Sequence, residues 1–228
     1  ALALNPDIKI IAPVREWGMG RDEQIDFCKK HGIPVKQTKD KPYSYDDNMW
    51  GVTGEGGEIE FPSMIPPLDK ILQICVTPDK AVDSPEFVKI EFEKGIPVAV
   101  DDKHMKLSEV ISHLNTVGAK HAVGIGHVLE DRVIGLKVRG IYEAPAAETI
   151  INAHKSLERY TSTMRSNKFK DIADQEWAYM CYGALWFDPF MDELNAFIDK
   201  TNERVTGTVT MQLYKGQAIA VALDTPNT

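Results

Sequence analysis

The sequence predicts an α+β fold: a mixed or antiparallel sheet with helices over residues 36–228, preceded over residues 1–35 by the last piece of a parallel α/β unit. Three observations carry this. Phe87-Val88-Lys89-Ile90-Glu91-Phe92 alternates inward and outward positions, and a Lys94-Gly95 turn leads into Ile96-Pro97-Val98-Ala99-Val100, which together read as an antiparallel hairpin. Leu107, Val110, Ile111, Leu114 and Val117 recur at helical spacing. At the front, an apolar run, a helical stretch and a second apolar run follow one another, the rhythm of a parallel sheet.

Taken in order, Ile8-Lys9-Ile10-Ile11-Ala12-Pro13 reads as a short buried strand that ends at proline. Asp22 to His31 reads as a helix with Ile25, Phe27 and Cys28 inward, stopped by Gly32 and Pro34 and followed by Ile33-Pro34-Val35. One such unit cannot close a sheet, so earlier strands are expected to be missing from this chain or supplied by another. Residues 52–86, rich in Gly and Pro, predict a long connection with a short helix around Leu68 to Ile74. In the hairpin that follows, Pro97 favours an edge position because it brings no N–H to a ladder. Gly118 is the expected stop of the next helix. Val123 to Leu129 and Arg132 to Val138 predict a second hairpin. Helices follow over Ala146 to Tyr160, with Ile150, Ile151, His154 and Leu157 on one face, and over the aromatic-rich Phe169 to Leu185. A third, opened by the N-cap and N1 pair Asp188-Pro189, runs to Asp199. Val205 to Tyr214, a Lys215-Gly216 turn and Gln217 to Leu223 close the chain as a hairpin.

Composition narrows the function classes. A chain of 228 residues is long enough for one large domain or two small ones with their own cores. Its 43% hydrophobic and 26% charged fractions suit a globular protein in water. No apolar run approaches the ~18 residues of a membrane span, and Ala-Leu-Ala-Leu-Asn-Pro-Asp lacks the basic and apolar regions of a signal peptide. Cys28, Cys75 and Cys181 are scattered, with neither a disulfide framework nor a metal spacing, which fits a reducing, cytoplasmic setting. The net charge of −8 disfavours nucleic acid and anionic membranes as partners. A local basic patch remains compatible with phosphate.

Common catalytic signatures are missing. There is no G-x-x-x-x-G-K-[ST] loop and no G-x-S-x-G elbow. Gly124-Ile125-Gly126 lacks the third glycine and the following helix of a dinucleotide loop. No two histidines share a helix at ligand spacing, so no metal site is expected; His121 and His127 read as hydrogen-bonded sheet residues. Two segments carry more chemistry. Lys41-Pro42-Tyr43-Ser44-Tyr45-Asp46-Asp47-Asn48-Met49-Trp50 opens on a turn signal, then offers hydroxyl, acid and amide groups beside aromatics. Its plainest structural use is Ser44 capping a helical turn, with Asp46 and Asp47 in the first turn. Lys120 to Pro145 sets His, acidic, basic and Tyr residues among short apolar runs, more ionisable groups than a structural hairpin needs and apt for a small zwitterion. The structural alternative is a solvated charge ladder in which Glu130 and Arg132 pair.

Read together, Ile8 to Pro13, His31-Gly32-Ile33-Pro34-Val35, Pro42-Tyr43-Ser44 to Asn48, Ile90 to Val98, Glu130-Asp131-Arg132, Arg139-Gly140-Ile141-Tyr142-Glu143 and Glu203-Arg204-Val205-Thr206-Gly207 resemble the argininosuccinate synthase family, in family order and across nearly the whole chain. The resemblance implies ATP-dependent ligation of citrulline and aspartate to argininosuccinate, a step of arginine biosynthesis. The ureido oxygen of citrulline attacks the α-phosphorus of ATP, pyrophosphate leaves, and the aspartate amine then displaces AMP. ATP comes with Mg²⁺. Ser44, Thr53, Glu130 and Tyr142 fall where the family contacts citrulline. A carboxylate suits the ammonium, and hydroxyls donate or accept as the polar ends of the ligand require. Arg132, Lys137 and Arg139 are expected to be structural.

The chain also departs from the family. Thr53 stands where the family usually has Ser, which keeps the hydroxyl but adds a methyl and a stiffer rotamer. Gly51 to Gly57 is looser than the usual segment, and Gly124-Ile125-Gly126-His127 replaces a stretch that commonly carries Arg and Asp. The chain stops at Thr228, before the family's usual tail, which often helps hold a tetramer. The Ser-Gly-Gly-x-Asp-Thr-Ser loop that cradles ATP is absent, as are segments that bind aspartate and part of citrulline. The resemblance thus divides the chain into a remnant of the nucleotide-binding domain (1–35) and a citrulline-binding and multimerisation synthetase domain (36–228). ATP and Mg²⁺ are expected on an N-terminal partner part, with no cofactor-binding or metal-binding residue here, and the chain is expected to be inactive alone. The alternatives are a non-catalytic oligomerisation module or a citrulline sensor.

Overall fold

The computed structural model describes residues 2, 4–35 and 43–227, and the chain divides into two compact units, Ala1–Ser44 and Tyr45–Thr228. The composition change at residue 36 and the turn signal at Lys41-Pro42 lie outside the described residues.

The first unit holds two helices, α1 (Pro13–Trp17) and α2 (Arg21–Lys30). In α2 the Gly20 N–H donates to Glu23 Oε2 at 2.8 Å. Acidic residues in its first turn and Lys29 and Lys30 in its last complement the helix dipole. It stops as the sequence predicts, with Gly32 at φ +67° and the Ile33 N–H returning to the Cys28 carbonyl at 2.9 Å. Ile25 is buried, whereas Phe27 lies at the surface against the His31 and Trp17 rings. The expected strand at Ile8–Pro13 does not form. Ile10 and Ile11 are 67% and 78% exposed, and Pro13 begins α1. A strand is held by a neighbour's ladder, and among the described residues of this unit there is no second strand.

The second unit is α+β with two antiparallel sheets. In chain order its elements are β1 (Ser44–Asn48), β2 (Gly51–Glu55), α3 (Leu68–Ile71), β3 (Glu86–Glu93), β4 (Ile96–Val100), β5 (Lys103–His104), α4 (Leu107–Lys120), β6 (Ile125–Asp131), β7 (Lys137–Glu143), α5 (Pro145–Thr161), α6 (Met164–Tyr182), α7 (Pro189–Asn202), β8 (Gly207–Tyr214) and β9 (Gln217–Asp224). One sheet runs β1-β2-β7-β6 and the other β5-β4-β3-β8-β9. No helix among the described residues is long and apolar enough to cross a membrane.

The main core lies on the five-stranded sheet. Val88, Ile90 and Phe92 of β3 and Val209, Met211 and Leu213 of β8 point to one face by the period of a strand. Val110, Leu114 and Val117 of α4, with Ile150, Ala153 and Leu157 of α5, cover them. Ile151, expected on the inner face of α5, is 42% exposed because the stripe runs through Ala146, Ile150, Ala153 and Leu157 instead. Pro97 is not on an edge strand, yet β5 pairs only with Ala99 and Val100 and leaves Pro97 without a ladder partner on that side.

Two expected boundaries move. Helix α4 passes through Gly118 to Lys120. Gly118 is there for space, since a Cβ would sit 2.7 Å from Pro145 Cβ at the start of α5. Ala122 at φ +58° ends the turn, with the Val123 N–H on the Gly118 carbonyl. The β6–β7 turn falls on Arg132–Leu136 rather than before Arg132, closed by Gly135 N–H to the Arg132 carbonyl and Arg132 N–H to the Leu136 carbonyl. Residues 52–86 contain β2, which their glycine content disguised.

Helices α6 and α7 share a small core of their own, Ala173, Met180, Met191 and Leu194 with Trp177, Cys181 and Phe197 packed on it. Helix α6 starts at Met164, earlier than expected, because Thr163 caps it by accepting from Ser166 N–H. Asp188 caps α7 as predicted, accepting from Phe190 N–H at 2.9 Å.

Candidate functional site

Strand β7 places alternate residues on opposite faces of the four-stranded sheet. Its register sets Tyr142 across from Thr53 of β2 on one side and Gly126 of β6 on the other, and Glu130 across from Val138. Thr53, Glu130 and Tyr142 therefore share one face, so the structure brings together three of the four residues singled out in the sequence. Ser44 is half-buried at the head of β1 and is the last residue of the first unit. It does not cap a helical turn: the segment is a strand, and Asn48 Oδ1 makes the β1–β2 turn by accepting from Trp50 and Gly51 N–H at 2.8 and 3.2 Å.

Glu130 is the centre of this face. The Tyr142 hydroxyl donates to its Oε1, and Arg132 Nε donates to its Oε2 at 3.3 Å. Arg132 Nη2 also donates to Glu55, 2.9 Å from Oε1 and 3.1 Å from Oε2. Glu55 follows Thr53 by two residues along β2 and so lies on the same face. Among the described residues, two carboxylates meet one guanidinium here, one negative charge in excess. Burial, then the Glu130 hydrogen bond and charge, push the Tyr142 phenol well above its ordinary ionisation range, while the Thr53 hydroxyl pulls weakly the other way. Tyr142 is accordingly a hydrogen-bond donor at neutral pH. Glu55 first, and then Glu130, hold Arg132 still more firmly charged. Gly140 completes the face. A Cβ there would stand 3.0 Å from Tyr142 Cε2 and 3.5 Å from the Thr53 methyl, so the glycine gives the phenol ring its place.

The opposite face of β7 uses similar residues differently. Arg139 is buried and donates to the carbonyls of Glu58, Ile59, Pro62 and Met64 at 2.6–3.3 Å. Glu143, 2% exposed, accepts from the N–H groups of Gln73, Ile74 and Cys75 at 2.7–2.8 Å. Burial first, and then Glu143, push the Cys75 thiol up to about 12, so it is an inert thiol and not a nucleophile.

The remaining candidates separate cleanly. Lys137 pairs with Asp131 at 2.6 Å on the open surface. His127 is an exposed residue of β6. His121 is not a sheet residue: it caps α4, fully buried, with Nε2 3.0 Å from Glu86 Oε2 of β3. Gly124 is at φ +78°, and a Cβ would meet the Ala144 backbone at 2.5 Å, so close passage of two chain segments explains this glycine without a phosphate. Among the described residues no three His, Cys, Asp or Glu side chains gather as metal ligands. Sequence reasoning did not single out Glu55 and Gly140, which the structure places on the same face as Thr53, Glu130 and Tyr142. Reading 51–55 as a strand would have put Glu55 beside Thr53.

Residues 43–228 match the family described as Arginosuccinate synthase C-terminal domain, and residues 1–34 match the Arginosuccinate synthase N-terminal HUP domain. The chain belongs to the argininosuccinate synthase family. It is 51% identical over 218 residues to the argininosuccinate synthase of Archaeoglobus fulgidus, covering 96% of this chain and 56% of that protein. Identity to the argininosuccinate synthase of Pyrococcus furiosus is 45% over 225 residues, 99% of this chain and 54% of that protein. For Rubrobacter xylanophilus it is 42% over 224 residues, 98% and 54%. The chain spans about half the length of these curated argininosuccinate synthases.

Proposed function

We propose that this chain supplies part of the citrulline site of an argininosuccinate synthase, through Thr53, Glu130 and Tyr142, with Ser44 joining the set on the family resemblance. The observation that supports this best is the Glu130 carboxylate, set by Tyr142 and Arg132 on a half-open face with a negative charge in excess. Citrulline presents an ammonium, a carboxylate and a neutral ureido group. Glu130 takes the ammonium as a charge-assisted partner, while the hydroxyls of Thr53 and Ser44 meet the polar groups that remain. The reaction is the ATP-dependent joining of citrulline and aspartate, with AMP and pyrophosphate released. ATP and aspartate are held mainly by a nucleotide-binding part beyond the remnant in residues 1–35, and Mg²⁺ accompanies the ATP phosphates. The free thiols of Cys28, Cys75 and Cys181 suit a reducing, cytoplasmic setting.

The test is pyrophosphate release from citrulline, aspartate and ATP, by this chain alone and mixed with the nucleotide-binding half of a relative. Activity is expected in the mixture only, with Glu130→Gln raising the citrulline requirement. Unchanged citrulline dependence in that variant would remove Glu130 from the site.

A second reading rests on a different region. Helices α6 and α7 expose Phe169, Ile172 and Phe190 around a groove of ≈ 410 Å³, an apolar face suited to assembly into the family's tetramer. A stable multimer in sedimentation, indifferent to citrulline and silent in the mixture, favours an oligomerisation module over a synthetase part.

A further inference from the structure

We propose that Arg132 and Glu55 are positioning residues, which together hold the Glu130 carboxylate in the one orientation that receives the ligand's ammonium. The proposal rests on the citrulline reading of this face and adds two residues to it.

The argument starts from topology. Strand β7 lies between β2 and β6, so a side chain that starts just beyond β6 and ends on β2 must cross it. Arg132 makes that crossing. Its backbone is fixed at both ends of the β6–β7 turn, by Arg132 N–H to Leu136 and by Gly135 N–H to Arg132, at 2.9 and 2.7 Å. Its guanidinium then divides between two carboxylates: Nη2 meets both oxygens of Glu55, and Nε meets one oxygen of Glu130. The other oxygen of Glu130 is taken by Tyr142. A carboxylate gripped at both oxygens has lost its rotameric freedom before any ligand arrives, so binding no longer pays that entropy.

A purely structural ion pair is the weaker account. With side chains 34% and 27% exposed, Arg132 and Glu55 form the kind of pair that adds little to stability. Placing a planar fork across two carboxylates is a use to which lysine, a point charge, is not suited. The Glu55 pair also offsets the guanidinium charge, so that Arg132 orients Glu130 without cancelling its attraction for an ammonium.

Two readouts on the full 228-residue chain test this. Calorimetric titration with citrulline compares the unmodified chain with Arg132→Met, Arg132→Lys and Glu55→Gln, each alone and on a Glu130→Gln background. The expected loss is about tenfold for Arg132→Met, the size of one charge-assisted hydrogen bond, smaller for Glu55→Gln, and nothing further for either on the Glu130→Gln background. Arg132→Lys is expected to keep the charge but not the affinity. Equal losses with and without the Glu130 carboxylate would overturn the proposal, because the two residues would then act independently of it. The second readout needs no ligand: 3-fluorotyrosine at position 142, followed by ¹⁹F NMR across alkaline pH. Arg132→Met should move the resonance, and the pH at which the phenol ionises, toward those of Glu130→Gln; an unmoved signal overturns the proposal. Failure of the unmodified chain to bind citrulline even when mixed with the nucleotide-binding half of a relative would sink the citrulline reading alone, and the fluorine signal would still decide whether Arg132 orients Glu130. Should Arg132→Met not fold, Glu55→Gln and Arg132→Lys carry both comparisons.

Discussion

The two faces of β7 carry nearly the same residue types and do opposite things. On one, Arg139 and Glu143 are buried and bind chiefly main-chain groups among the described residues, four carbonyls and three N–H groups of the connecting segments. On the other, Arg132, Glu55, Glu130 and Tyr142 are partly exposed and bind one another's side chains. A charge surrounded by backbone partners has no capacity left for a ligand. Side-chain partners arranged around a partly open carboxylate do. What separates the two arginines is the kind of atom their nitrogens meet.

The comparison is broken most easily at Arg139. Arg139→Met strands the carbonyls it serves and should lose on the order of 3–5 kcal/mol in urea unfolding, whereas Arg132→Met should leave the midpoint nearly unchanged; equal midpoints would erase the distinction. Glu143→Gln comes next, at roughly 2–3 kcal/mol, because an amide turns an NH₂ toward donors that need an acceptor. Loosening residues 73–75 should also speed reaction of Cys75 with a thiol reagent. Gly140→Ala is smaller. Its Cβ would lie 3.0 Å from the Tyr142 ring, so the phenol must shift by a few tenths of an ångström; citrulline titration should show a several-fold weakening, with a stability change under about 1 kcal/mol. The smallest effect is in alkali. Burial and Glu130 raise the Tyr142 ionisation above that of an unfolded tyrosine. The stabilisation is therefore complete below pH ~10 and is lost as pH rises from there toward the raised value. Tyr142→Phe should lower the neutral plateau slightly and flatten this alkaline decline, and an unchanged decline would separate Tyr142 from Glu130.

Much of the fold was legible where local pattern and tertiary context agree. The alternation of β3, the helical spacing of α4, the Asp188 cap and the last hairpin all form as read. Failures came where a partner decides. Ile8 to Pro13 has strand residues but no ladder. Gly51 to Glu55 has little strand propensity, yet pairs with β7 across Val52–Glu143, Thr53–Tyr142 and Gly54–Ile141. Val133 and Ile134 look like strand and are turn residues, 61% and 75% exposed. The site divides the same way. Thr53, Glu130 and Tyr142 were singled out because each matches a family position, and the structure sets them on one face. Glu55 and Arg132 were not, because their contacts span three strands, and nothing in the sequence separates Arg132 from Arg139.

Arg139 has one more implication. Residues 58–64 hold their course largely through a single guanidinium that reads peptide oxygens, and every amino acid carries one of those. The path of this segment is thereby partly uncoupled from its composition. Its exposed side chains, Phe61 and Met64, can be redesigned while the route of the chain stays the same, whereas Ile59, fully buried, is fixed by its packing.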